Sequence, residues 1–398
     1  MTTARLLDLT RSLRRADRVA TGIDRVEHAY LESLLADDVP VYGLLRTAFG
    51  YVVLDQTGLR EFLDRAAGRV PWGGIDRLSR LPRGRTTVQQ RTESDVRRLA
   101  LKRSVPARLA KTLAAILPEG YVYFNVGHSN LTDRVMSAVA KSGGRIAAMV
   151  HDVIPLEHPE FQREGSVEPF RDKLRQISGR ADWVIYNSQD TQKRAEVFLR
   201  DLGRVPNSIV AHLGITKPSA DATQLPSGLP LDHPYFVTVS TIEPRKNHAF
   251  LLDIWHQLGP AAPPLFICGA RGWNNDAVFA RLDQLTAKDN VYELPNLSDP
   301  ALAALVQGSA GMLFPSLAEG YGLPPLEALA LGSRVLCNDL EVLREVLGGN
   351  AAYIPVSDSD LWINTIKNWE KNLPQAQKDH QFVGPTWSEY FKTVLRLR

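Results

Sequence analysis

Short runs rich in β-branched and aromatic residues recur along the whole chain, and stretches with helical periodicity fit between most of them. Candidate strands in the first half are 5–9, 41–45, 121–126, 145–150, 183–187 and 208–212. Those in the second half are 235–240, 264–268, 291–294, 311–314, 334–338 and 352–356. In 247–258, for example, Phe250, Leu251, Ile254, Trp255 and Leu258 share one helical face. Strands that alternate with helices pair in parallel and need helices on both faces of the sheet. The expected fold class is therefore α/β, twice over. Between the two series lies 216–234, with four prolines and much Ser, Thr and Asp, which suits an exposed linker. That divides the chain into a first domain, 1–219, and a second, 220–384. Beyond a polar stretch at 374–381, an amphipathic helix in 385–398 is expected to pack back on the first domain.

Composition narrows the function classes. A length of 398 residues accommodates two or three domains at roughly 150 residues each. With 44% hydrophobic and 23% charged residues the chain is no disordered polymer. A net charge of +3 argues against bulk nucleic-acid binding. Cys268 and Cys337 sit in apolar runs and read as buried thiols of a reducing compartment. No apolar stretch of about 18 residues occurs, and the N-terminus lacks the apolar core of a secretory signal. A cytoplasmic location is expected, with at most peripheral contact at the inner face of a membrane. The segment 77–111 stands out, with eleven Arg or Lys and two acids, Glu93 and Asp95. It reads either as a solvated helical excursion or as a surface for anionic lipid or a phosphate-bearing acceptor. No aromatic residue is interleaved there, which weighs against nucleic acid.

Three blocks carry chemistry. The first, 314–327, follows an apolar strand and enters a helix through Pro324 and Pro325, tolerated only in a first turn. Glu319 then lies at a strand's carboxyl end, where open α/β sheets bind ligands. Gly320 and Gly322 leave amides free beside a helix N-terminus, an arrangement that receives a diphosphate. Glu327 stays close to the same mouth, and both glutamates are suited to accepting from sugar hydroxyls. A single such Glu would merely complement the helix dipole, but the combination points to a site. The second block, 240–248, places the cations Arg245 and Lys246 after another strand, where a nucleotide diphosphate needs charge compensation. The third is His151, after the strand 145–150. It is read as a contact to a substrate oxygen, a proton-transfer group, or a satisfied structural histidine.

These blocks resemble family 4 of the retaining, nucleotide-sugar-dependent glycosyltransferases of the GT-B fold, strongly over 234–355 and weakly over 50–118. The resemblance implies two Rossmann-like domains facing across a cleft, the first for acceptor and the second for donor. Its most specific motif is a pair of glutamates with seven residues between them, Glu319 and Glu327. The resemblance places Glu319 at the transferred sugar and Glu327 on the ribose hydroxyls. It puts Lys246 and Arg245 on the diphosphate, and Gly320, Tyr321, Gly322 and Leu323 in the donor loop. His151 would stand beside the reacting sugar, so the implied catalytic set is Glu319, His151 and Lys246. The block 21–25, with Gly22 and Arg25, resembles the loop that closes over donor phosphate or positions the acceptor. Leu294, Pro295 and Leu297 fall in the region that contacts the base. Many members carry an Arg after a strand-ending glycine where this chain has Ser240 and Thr241.

By this resemblance the reaction transfers a hexose, such as mannose, with retention of configuration. The acceptor would be a glycan or lipid-linked glycan in bacterial surface polysaccharide synthesis, including lipopolysaccharide. The implied course is front-face displacement, the leaving diphosphate stabilised by cations and amides. No cofactor and no metal is expected. The competing readings are a nucleotide-sugar epimerase on the same scaffold and a non-catalytic nucleotide-sugar-binding protein. Asp358 and Asp360 form a D-x-D pair, read as a helix cap rather than a metal site. No glycine-rich dinucleotide fingerprint follows a strand, and no P-loop is present.

Overall fold

The computed structural model describes residues 2–18, 20–373 and 382–397; the polar stretch 374–381 lies outside them. Among the described residues two sheets form, one of eight strands and one of six. The first contains β1 (Arg5–Asp8), β2 (Val41–Thr47), β3 (Gly50–Leu54), β4 (Lys102–Ser104), β5 (Val122–Asn125), β6 (Arg145–Val150), β7 (Trp183–Tyr186) and β8 (Asn207–Val210). The second contains β9 (Phe236–Val239), β10 (Leu265–Cys268), β11 (Val291–Leu294), β12 (Gly311–Phe314), β13 (Val335–Cys337) and β14 (Ala352–Tyr353). Runs such as Leu265–Cys268 and Gly311–Phe314 are buried at every position, as strands covered on both faces must be.

All twelve expected runs form strands, and β3 and β4 are additional. They extend the first sheet antiparallel, with Leu45 opposite Val52 and Tyr51 opposite Ser104. Residues 77–111 are consequently more than a solvated helical excursion: the helix Thr87–Arg98 leads into β4 at the sheet edge. The two acids of this segment are what hold it down. Glu93 and Asp95 are buried, Arg97 lies 2.7 Å from Asp76 and 3.5 Å from Glu93, and Arg65 lies 3.3 Å from Asp95. A cation can leave water only with such partners.

Strand order places the binding crevices. The second sheet runs β11-β10-β9-β12-β13-β14, wholly parallel, so its direction of winding reverses between β9 and β12. The first sheet runs β4-β3-β2-β1-β5-β6-β7-β8, with the reversal between β1 and β5. Loops leaving adjacent strands to opposite faces open a crevice at each reversal, beyond the carboxyl ends. The chain crosses from one sheet to the other between Val210 and Phe236. The helix Trp387–Val394 returns to the first domain, where the Tyr390 and Tyr30 hydroxyls lie 2.7 Å apart and the Phe391 and Tyr30 rings meet edge to face.

The domains touch along a polar seam. Glu345 of the second domain accepts from the Gln189 and Asp190 amides, 2.7 and 2.9 Å away, at the start of the first-domain helix Gln189–Asp201. Trp273 Nε1 donates to the Phe161 carbonyl over 2.9 Å, and the Arg163 guanidinium covers the Trp273 ring. Both cysteines are free, and burial pushes each thiol up to about 12. No helix among the described residues is long and apolar enough to cross a membrane.

Candidate active site

The loops that leave β9 and β12 meet at the second-domain crevice. After β9 the chain turns through Pro244–Lys246 and enters the helix His248–Leu258 by way of Asn247, in the left-handed region at φ 55°. This short turn aims Arg245 and Lys246 at the β12 loop. Lys246 Nζ contacts Glu319 Oε1, Arg245 Nη1 reaches Glu319 Oε2 over 3.1 Å, and the Lys246 ammonium lies 4.8 Å above the Phe314 ring. Burial alone would raise the Glu319 carboxyl, but Lys246 and then Arg245 outweigh it and hold it below the ordinary range. Burial and Arg245 lower Lys246 against the pull of Glu319. Contact with two cations decides the state of the carboxylate: the cluster is ionised. Arg245 also holds Glu243 at 2.6 Å.

Gly322, at φ 102°, caps the helix Leu323–Ala330, whose first turn offers the Leu323 amide but none from Pro324 and Pro325. Gly320 has no room for a side chain, since a Cβ there would lie 2.5 Å from the His151 carbonyl oxygen. The loop is thus pressed on the end of β6. Thr191 donates to the Gly320 carbonyl over 3.0 Å, and Arg194 to that of Glu319 over 3.2 Å. The Tyr321 side chain departs from its expected role: it is buried, and its hydroxyl donates to the Leu213 carbonyl. It bolts the domains together, leaving only its backbone to the donor loop.

His151 is buried and meets the Val126 carbonyl oxygen at 2.6 Å through Nε2. A carbonyl only accepts, so Nε2 carries the hydrogen and Nδ1 keeps its lone pair. Burial lowers the imidazole to about 4. The ring is neutral at physiological pH, which suits accepting from a substrate hydroxyl and not donating a proton. Beside it lies Asp152, raised by burial against the opposing pull of Arg245.

Glu327 stands farther along the seam. Burial raises its carboxyl, opposed by Arg25, whose Nη1 donates to Oε1 over 2.6 Å. The block around Gly22 is a helix start, not a loop: Thr21 caps Gly22–Ala36, and Asp24 closes the capping box. Gly22 packs under Leu323, which a Cβ would approach to 3.3 Å. Arg25 reaches Glu327, the ribose-binding candidate, and Asp299, 3.6 Å away. A cavity of about 820 Å³ opens here, lined by Arg25, Asp299, Pro300, Leu323 and Glu327 among others. Leu294, Pro295 and Leu297 are not in its lining; the helix Asp299–Gln307 that follows them supplies that wall.

Sequence reasoning missed Arg194, Glu345 and His128. His128, at φ 55°, sets its ring 5.1 Å from that of His151, and its place in a glycine-containing loop after β5 was a usable signal. Arg194 and Glu345 are ordinary helix residues whose contacts across the seam, to the Glu319 carbonyl and the Gln189 amide, lie more than 100 positions away in sequence. Asp358 caps the helix Ser359–Lys371 by accepting from the Leu361 amide over 3.0 Å. Among the described residues no group of three or more His, Cys, Asp or Glu is placed to hold a metal ion.

Residues 221–382, which hold Lys246, Glu319 and Glu327, match the family described as glycosyl transferases group 1. They form a group 1 glycosyl transferase domain. The chain is also 30% identical over 286 residues to the serotype-specific mannosyltransferase WbdA of Escherichia coli, covering 66% of this chain and 34% of that protein. It is 32% identical over 145 residues to the O-antigen chain mannosyltransferase RfbU of Salmonella typhimurium, 36% of this chain and 40% of the other. The chain thus spans about a third of the length of the curated relatives it first matches. The crystal structure of HepE from Anabaena, in complex with UDP and glucose, superposes with a TM-score of 0.62 at 14% identity, over 99% of this chain and 95% of that one. The fold is GT-B, and the glycosyl transferase domain is its second half.

Proposed function

We propose that this chain is a retaining glycosyltransferase that moves a hexose, mannose by analogy with its relatives, from a nucleotide diphosphate sugar to a glycan or lipid-linked acceptor in bacterial surface polysaccharide synthesis. The observation that carries the reading is the convergence of Arg245 and Lys246 on Glu319 at the β9–β12 reversal, opposite His151. Two cations, with backbone amides of the Gly320–Leu323 loop, would stabilise charge as it develops on a leaving diphosphate, the largest single lever in such a transfer. Donor binding would draw Lys246 and Arg245 partly from Glu319 to the phosphates, freeing that carboxylate for hydroxyls of the transferred sugar. His151 Nδ1 would accept from another hydroxyl of the sugar, fixing its orientation. Glu327 would take the ribose hydroxyls. The leaving diphosphate would assist removal of the acceptor proton, since burial holds His151 near 4 and makes it a weak base. The names of the mannosyltransferase relatives and the UDP in the HepE structure support the donor class.

Membrane association belongs to the same proposal, at the cytoplasmic face. Leu78, Leu81, Leu101 and Val105 are exposed by 41, 66, 46 and 54% among basic residues of 77–111. Apolar side chains standing out among cations suit an anionic bilayer surface.

The test is calorimetry of the purified chain, without metal, against GDP-, UDP-, dTDP- and ADP-linked sugars. One donor is expected to bind selectively and to lose affinity in Glu327→Ala. Isomerised sugar formed without acceptor would favour an epimerase instead. Binding without turnover on any acceptor would favour a binding protein.

A further inference from the structure

The loop that follows β12 is held by both domains. Its first carbonyls are taken within the second domain. Asn247 Nδ2 reaches the Pro315 oxygen over 3.4 Å, Asn338 Nδ2 that of Ser316 over 2.9 Å, and Arg245 Nη1 that of Ala318 over 3.1 Å. The next two carbonyls pass to the first domain. Arg194 Nη1 donates to the Glu319 carbonyl over 3.2 Å, and the Thr191 hydroxyl to the Gly320 carbonyl over 3.0 Å. Thr191 and Arg194 stand one helical turn apart on Gln189–Asp201 and so share one face of it.

Both side chains are fixed within their own domain. Thr191 is 1% exposed, and its amide donates to the Ser188 hydroxyl over 3.0 Å. Arg194 is gripped by two carboxylates: Nε lies 2.9 and 3.0 Å from the Glu157 oxygens, and Nη1 lies 2.9 Å from Asp190 Oδ2. A planar guanidinium held in this way presents its N–H groups in set directions.

A trans peptide carries its C=O and its N–H on opposite sides. With the Glu319 and Gly320 carbonyls turned toward the helix Gln189–Asp201, the Gly320 and Tyr321 amides point away from it. Both residues are buried, yet among the described residues neither amide has a hydrogen-bond partner. Buried backbone amides rarely stay unpaired, so this pair is ready for a ligand that only accepts. The Glu319 side chain between Arg245 and Lys246 belongs to the same loop. The two peptides that flank Gly320 are also the ones that turn over most readily, because glycine restrains its backbone least.

We infer that Thr191 and Arg194 are positioning residues, which aim the Gly320 and Tyr321 amides at the diphosphate of the donor by holding the carbonyls of the same two peptides. The inference rests on the nucleotide-sugar reading above. Neither side chain has to touch the ligand. Because both belong to the first domain, the amides are aimed only while the seam is closed.

Titration calorimetry of the full chain with UDP and UMP, and with GDP and GMP, measures how much affinity the second phosphate adds. The proteins compared are the wild type, Thr191→Val, Thr191→Ser and Arg194→Gln. Thr191→Val keeps the side-chain shape and removes the donor, Thr191→Ser keeps the donor, and circular dichroism checks the fold. The diphosphate-to-monophosphate affinity ratio is expected to fall by about tenfold in Thr191→Val and Arg194→Gln and to return in Thr191→Ser, with monophosphate affinity unchanged. Hydrogen exchange of peptides covering 317–323 reads the amides themselves. The bound diphosphate should slow their exchange in the wild type and Thr191→Ser, and much less in Thr191→Val. Equal loss of monophosphate and diphosphate affinity overturns the inference, since side chains that merely support the fold would weaken both. An unchanged ratio with equal protection in Thr191→Val overturns the inference alone. Failure of the wild type to bind any of the four nucleotides overturns the nucleotide-sugar reading and the inference with it.

Discussion

Arg25 Nη1 donates to Glu327 Oε1 across 2.6 Å and joins the opening turn of a first-domain helix to the second-domain helix Leu323–Ala330. If, as proposed, this carboxylate takes the ribose hydroxyls, it cannot fully serve Arg25 at the same time, and nucleotide binding and domain contact would be coupled at this point. Arg25→Ala should leave nucleoside diphosphate affinity undiminished, while Glu327→Ala lowers it by about tenfold or more, in line with loss of a charge-assisted hydrogen bond. Isothermal titration of both variants checks this; a parallel loss in the two would assign Arg25 to the ligand. Arg25 is 37% exposed, so its removal should cost stability of only about 0–1 kcal/mol.

Glu319 and Lys246 are expected to fail singly and to recover in part together. Removing one partner of a buried pair strands the other, at a cost of about 3–5 kcal/mol. The double variant should therefore lower the denaturant midpoint by less than the sum of the losses in Lys246→Met and Glu319→Leu. Additive losses in the cycle would show that the pair is not energetically coupled. Turnover should vanish in all three.

Gly320→Ala addresses closure directly. A methyl group 2.5 Å from the His151 carbonyl oxygen and 2.8 Å from the Asp152 Cβ leaves no room for the seam. Each domain should fold, but the two should separate, raising the radius of gyration in X-ray scattering and abolishing transfer. An unchanged scattering curve with normal activity would contradict the seam described above.

Glu345→Ala removes the acceptor of two helix-start amides and of His212 Nε2, 2.9 Å away. Loss of such a cap costs about 0.5–2 kcal/mol. Because the cap crosses the domains, the loss should appear as faster proteolysis of the linker around 216–234 with little change in the helices measured by circular dichroism.

Stability should also respond to pH through two groups of opposite sign. His151 is held near 4, below its unfolded value of 6.5, so the unfolded chain takes up the proton first and stability falls as pH drops from 6.5 toward 4. Glu27 is raised from 4.5 to about 8, so the folded chain keeps its proton longer and stability falls as pH rises through that window. A Glu27→Gln variant should gain on the wild type between pH 5 and 8 in thermal unfolding, whatever its offset at pH 5. A gap independent of pH would mean that Glu27 is ionised in the fold.

Much of this is legible in the sequence. The runs at 265–268 and 311–314 announce themselves by continuous apolar character, because a parallel strand buried on both faces admits little else. Pro324 and Pro325 fix a helix start, which puts Glu319 in the preceding loop. By contrast β4, Lys102–Ser104, carries two exposed cations and a buried serine, and only its pairing with β3 makes it a strand. Tyr321 looked like part of the donor loop from its neighbours in sequence, yet its side chain turns toward Leu213, over a hundred residues away.

The sequence by itself determined the α/β class, the two series of strands and the identity of the residues at the strand ends. These follow from local periodicity and from backbone rules that hold residue by residue. Tertiary structure alone decided which of those residues meet. Arg25 finds Glu327, Glu345 caps Gln189, and Arg245 and Lys246 meet Glu319. Their charges act through space, and the order in which strands join a sheet, not their order in the chain, sets the distances over which they act.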